Sequence, residues 1–144
     1  MYTLFMIFAK FITRAMTKLS PEVCGSMKIY NFEEKVMLNT VYIRVWVFPN
    51  AISIWCGTNS AFSNLCASVP VRMSPIPPSI PLLSCSDKCQ SLAQRLALRL
   101  NIPVFVSFEN MDGLNDIELM SKAEKSIFNY VKEIMRNDIE EPIH

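Results

Sequence analysis

The chain has 144 residues, 51% of them hydrophobic and 19% charged, with a formal net charge of +1. That is enough apolar chain for one folded core, and it excludes a disordered polypeptide. The charge is uneven: residues 1–108 carry ten Lys and Arg against four Asp and Glu, and residues 109–144 carry four against nine. Neither part holds a dense basic cluster, so the main electrostatic ground for nucleic-acid binding is missing.

In residues 1–20, Phe5, Phe8, Ile12 and Met16 recur at helical spacing, Lys10, Arg14 and Lys18 follow one another every four residues, and no acid precedes Glu22. Two readings fit: a transit-like or membrane-surface helix, or an N-terminal extension over residues 1–27 that stands outside the fold. The extension is the reading preferred. The stretch is too short and too interrupted by charge to span a bilayer. The folded domain is placed at residues 28–137, followed by an acidic tail, 138–144, that should fray.

Lys28 to Phe32 reads as a short first strand, and Glu33 to Asn39 as a short helix or turn with Val36 and Met37 turned inward. Val41 to Phe48 and Ala51 to Cys56 are two runs of β formers separated by Pro49-Asn50, which predicts an antiparallel hairpin closed by a tight turn. Trp46 and Trp55 read as core or sheet-face residues. Arg44 interrupts an apolar strand and either snorkels at an edge or meets a partner's acid.

Beyond Gly57, a short helix from Asn59 or Ser60 would bury Phe62, Leu65 and Cys66. Five of the nine prolines fall between Pro70 and Pro81. They favour an extended path, read here as an edge segment with Ile80, Leu82 and Leu83 inward rather than as a ligand for a proline-recognition domain. Ser91 and Gln94 have capping-box spacing, so a helix should start there, bury Leu92, Leu96 and Leu100, and end near Asn101 because Pro103 disfavours helical geometry at Ile102. Val104 to Phe108 is then a strand, apolar on both faces and so interior to a sheet. Asn115 and Glu118 repeat the capping spacing. They lead into a long helix with Met120, Ala123, Ile127, Tyr130, Val131 and Ile134 on one side and Glu118, Lys122, Lys125, Asn129, Lys132 and Arg136 on the other.

Sites for chemistry are hard to find. Only three glycines are present, Gly25, Gly57 and Gly113, which leaves no phosphate-binding loop, dinucleotide fingerprint or nucleophile elbow. The five cysteines contain no CxxC pair and fit a reducing compartment better than a disulfide framework. Cys85 and Cys89 form a CxxxC without further ligands and read as loop thiols, neither metal site nor activated nucleophile. The one histidine is His144, so a Cys–His or Ser–His pair would have to use a terminus expected to fray. No enzyme activity, cofactor or metal is expected.

Taken in order, the hairpin ending Trp55-Cys56-Gly57, the segment with Asn64-Leu65, the Pro-rich edge with Leu82-Leu83 and the C-terminal amphipathic helix resemble the proteasome assembly chaperone 4 family. The most specific piece is Leu92 to Ala97 followed by Val104 to Ser107. The similarity runs from about Lys28 to Ile134; residues 1–27 have no counterpart, and residues 69–91 are richer in proline. The resemblance implies an α+β domain, with an antiparallel sheet and packed helices. It implies a non-enzymatic chaperone that pairs with a related small subunit, proteasome assembly chaperone 3, and helps 20S proteasome α subunits form their ring in the cytoplasm and nucleus. Arg95 and Arg99, on the polar side of the Ser91 helix, are the candidate partner contacts. The alternative is an organellar, mitochondrial protein-binding domain directed by the transit-like N-terminus.

Overall fold

Alternating apolar residues set the framework of the chain. The computed structural model describes residues 21–36, 39–84, 86–109 and 117–140. β1 (Glu22–Cys24), β2 (Met27–Val36), β3 (Asn39–Phe48) and β4 (Ala51–Gly57) run as an antiparallel meander. The hairpin expected around Pro49-Asn50 is present, with Phe48 opposite Ala51. Where a helix or turn was expected after Phe32, β2 instead continues to Val36 in a nine-residue ladder against β3. Tertiary pairing with the strongest β-former run in the chain overrides the weak helical preference of Glu33 to Val36. Met37 lies outside the described residues. The sheet also takes in Glu22–Cys24 and Met27, ahead of the domain start placed at Lys28.

After β4 the chain crosses to the far side of the sheet. β5 (Cys66–Ser68) and β6 (Ser79–Pro81) precede helix α1 (Asp87–Leu100), and β7 (Val104–Phe108) returns between β4 and β5. The strand order is β1-β2-β3-β4-β7-β5-β6. Every pairing is antiparallel except β4 with β7, which is parallel, so the sheet is mixed at this one junction. A parallel neighbour needs a long crossover, and here it is built from β5, β6 and α1. Helix α2 (Ile117–Glu140) ends the described chain and runs through the start of the expected tail.

Both helices lie on one face of the sheet. Tyr30, Phe32, Val41, Ile43, Val45, Ile52, Ile54, Val104 and Val106 point toward them and are buried with Leu92 and Leu96 of α1 and Ile127, Tyr130 and Ile134 of α2. Tyr130 stacks on Phe32 with ring centroids 3.9 Å apart and donates its hydroxyl to Glu34 Oε2 at 2.5 Å. The expected inward positions of α2 are buried from Ala123 onward; the side chains of Met120 and Glu118 lie outside the described set, as do Asn115 and residues 1–20.

α1 starts one turn earlier than Ser91. Ser86 is the N-cap, its hydroxyl accepting from Cys89 N at 3.2 Å, and Asp87 in the first turn favours the positive end of the helix dipole. Gln94 does not reach back to close a capping box; its amide donates to Pro77 O at 3.1 Å, tying the Pro-rich segment to the helix. The helix ends as expected at Asn101, in the left-handed region at φ 56°, with its N–H on Ala97 O at 2.9 Å.

Candidate partner-docking face

No helix among the described residues covers the second face of the sheet, and its side chains can be followed strand by strand through the register. Ile29, Trp46, Ser53, Phe105, Ala67 and Ile80 stand side by side across six strands. The next row is Asn31, Arg44, Trp55 and Ser107, and beyond it lie Glu33, Tyr42 and Gly57. Ile29, Trp46, Trp55 and Phe105 are half-buried, while Tyr42, Phe48 and Ile80 are exposed. Large apolar side chains left partly in water along one face make it a candidate surface for another protein.

Arg44 belongs to this face. Its Nε donates to Asn31 Oδ1 at 2.6 Å, and its guanidinium lies 5.7 Å from the Trp46 ring centre. The charge therefore spans its neighbours on the sheet surface, with its head exposed.

One end of the face has a lip. Residues 58–65 form no helix; they run irregularly across the ends of β4 and β7, and Phe62 is 58% exposed instead of buried. Three polar anchors compete successfully with helix formation in this Ser- and Asn-rich stretch. Trp55 Nε1 donates to Ala61 O at 3.0 Å. The Glu109 carboxylate accepts from Ser63 N and from Ser63 Oγ, each at 2.6 Å. Asn64 replaces a backbone partner for Phe108, accepting from its N–H and donating to its carbonyl, both at 2.9 Å. Burial acts to raise the Glu109 carboxyl pKa, but the Ser63 hydroxyl, the backbone of Ser63 and Asn64, and the Ser107 hydroxyl outweigh it, and the group is held below its ordinary value.

The Pro-rich segment borders the other end. It is an edge, as expected, but Ile80, Leu82 and Leu83 are 48%, 49% and 45% exposed, so the inward placement was wrong. β6 is only three residues long, and Ile80 takes its place in the row on the uncovered face. The buried contacts in this region come instead from Pro77 and from Ser68 Oγ, which donates to Pro78 O at 2.9 Å.

Arg95 and Arg99 sit on the opposite side of the molecule. Both are exposed on α1, with guanidinium carbons 5.6 and 5.3 Å from the Phe128 ring centre of α2, and Arg95 also pairs with Glu124. They bridge the two helices. Beside Arg95, a cleft of about 300 Å³ opens between α1 and α2 over Leu92 and Phe108.

Cys89 is a helix residue rather than a loop thiol, fully buried, with Sγ on Val106 O at 3.3 Å. Cys56 is equally buried, and desolvation pushes its thiol up to about 12. Cys56 is therefore not a poised thiolate. Cys85 lies outside the described residues. No three His, Cys, Asp or Glu side chains among the described residues converge to hold a metal ion, and no described helix is long and apolar enough to cross a membrane.

Residues 40–109, from the start of β3 to the Glu109 anchor, match the sequence model of proteasome assembly chaperone 4. No curated protein matches the chain. Among solved structures, a chain from the crystal structure of a novel chaperone complex for yeast 20S proteasome assembly superposes with a TM-score of 0.57 at 16% identity, over 76% of this chain and 98% of that one. The likeness in structure concerns the fold, and the match in sequence covers the hairpin, the lip, the Pro-rich edge, α1 and β7. Over those residues, 40–109, the chain is similar to the proteasome assembly chaperone 4 family.

Proposed function

We propose that this chain is a non-enzymatic chaperone that promotes assembly of the 20S proteasome α-subunit ring, acting as a heterodimer with a related small chaperone. The observation that carries the reading is the uncovered sheet face crossed by Ile29, Trp46, Phe105 and Ile80. A second sheet laid on such a face makes a sandwich about 10 Å thick and removes the aromatic row from water. A sister chaperone of the same fold offers a sheet for this purpose, and the yeast structure of similar fold belongs to a chaperone complex. Binding of this kind needs complementary surfaces and no bond chemistry. The chain then works in the cytoplasm and nucleus, where proteasome subunits are free to assemble.

Affinity capture of the tagged chain with mass spectrometry tests the proposal. Recovery of one related small chaperone and unassembled α subunits, without mature proteasomes, is the expected result. Trp46→Glu and Phe105→Glu should each remove the sister chaperone from the eluate. Recovery of the wild-type chain as a lone monomer from cells assembling proteasomes would sink the reading. A purely mitochondrial location would favour the transit-like reading of residues 1–20 instead.

A further inference from the structure

From Ser121 to Asn137 the outward side of α2 is charged in one sense. Between Ser121 and Asn137 its exposed charged side chains are Lys122, Lys125, Lys132 and Arg136, all cations. The two acids of this stretch are withdrawn: Glu124 is turned to Arg95, and Glu133 is half-buried with its Oε2 shielded from water. Positions 122, 125, 129, 132 and 136 are three and four apart, so they form one line along the helix, about 21 Å from first to last. Arg95 and Arg99, held over Phe128, extend the patch sideways onto α1.

Lys122 with Lys125 and Lys132 with Arg136 are like-charge neighbours on the helix surface, an arrangement that is mildly unfavourable alone and becomes favourable when carboxylates face it. We infer that the α2 stripe, centred on Lys125, Lys132 and Arg136, is a docking rail for an acidic protein segment on the client subunit. The identity of the client rests on the proposed function; the acidic chemistry does not. A polyanion such as DNA fits less well, because the sequence places Asp116 and Glu118 before the stripe and Asp138, Glu140 and Glu141 after it, a base-rich centre between acid-rich ends. The rail lies on the helical layer and the aromatic row on the far side of the sheet, so one molecule can hold sister chaperone and client together.

The test uses the full chain co-purified with its sister chaperone, with purified α-type proteasome subunits, a DNA duplex and a single-stranded RNA as probes. The triple variant K125E/K132E/R136E should bind the cognate subunit about tenfold more weakly, since several exposed ion pairs of a few tenths to 1 kcal/mol each are lost or reversed. The wild-type affinity should fall with added salt, the charge-conserving K125R/K132R/R136K should bind like wild type, and pairing with the sister chaperone should be unchanged in every variant. Equal affinity of the reversed variant and wild type would overturn the rail while leaving the proposed function standing. Failure of the wild-type pair to bind any α subunit would overturn both. Tight binding of DNA or RNA that the triple variant abolishes would reassign the stripe to nucleic acid.

Discussion

The carboxylate of Glu109, 3% exposed, accepts two hydrogen bonds of 2.6 Å from Ser63 and is one of the three anchors that hold residues 58–65. Its folded pKa is below that of the unfolded chain, so its contribution to stability is fully present above the unfolded value and is lost as the pH falls through the folded value. Glu109→Gln should destabilise the protein by about 1–3 kcal/mol near neutral pH, in denaturant melts, because charge-assisted bonds are lost at a buried site. The gap between variant and wild type should narrow as the pH drops. A constant gap would mean that shape, not charge, holds the lip. Gly57 is bound to the same corner: a Cβ there would lie 2.9 Å from Trp55 Cζ2 and 3.1 Å from Glu109 Cβ. Gly57→Ala should therefore cost about 1–3 kcal/mol through overpacking, visible as a lowered Tm.

At the scale of elements, α1 shows what sequence patterns specify and what they leave to tertiary contacts. Its end was legible because Pro103 disfavours helical geometry at Ile102, and the structure adds the left-handed cap at Asn101. Asn101→Gly should leave stability nearly unchanged, whereas Asn101→Val should cost about 1–2 kcal/mol in thermal melts, the penalty a β-branched residue pays in that region. Equal effects of the two would show that the cap is not what ends the helix. The start was misplaced because Ser91 and Gln94 have the capping-box spacing, whereas the cap itself is Ser86, whose hydroxyl takes Cys89 N with Asp87 beside it in the first turn. The hairpin of β3 and β4 and the strand β7 were legible from their β-former runs. The path of residues 58–65 was not, since two of its three anchors join residues more than forty positions apart, Ser63 to Glu109 and Asn64 to Phe108. Ile80, Leu82 and Leu83 misled for a different reason: apolar composition says that a side chain seeks cover, and not whether the cover comes from its own chain. The candidate face was hidden likewise, because Trp46, Trp55 and Phe105 share it only once β4 and β7 pair in register.

For the molecule as a whole, the helices on one face and the aromatic row on the other give the surface two sides of different chemistry. The division supplies its own reporter. The chain has two tryptophans, and both stand on the uncovered face, Trp46 beside Ser53 and Trp55 beside Arg44. Each is half-buried, so in the free chain water still reaches the indoles. If the sister chaperone lays a sheet on this face, it removes that water, and the intrinsic emission should move to shorter wavelength while quenching by acrylamide falls. Addition of an α subunit at the helical side should leave the emission unchanged, since no tryptophan lies there. Complex formation proven by gel filtration without any change in emission would mean that the partner seats elsewhere. An emission shift caused by the client alone would exchange the two sides. Because both indoles share one face, the spectrum distinguishes these outcomes without labels and without a variant that has to fold.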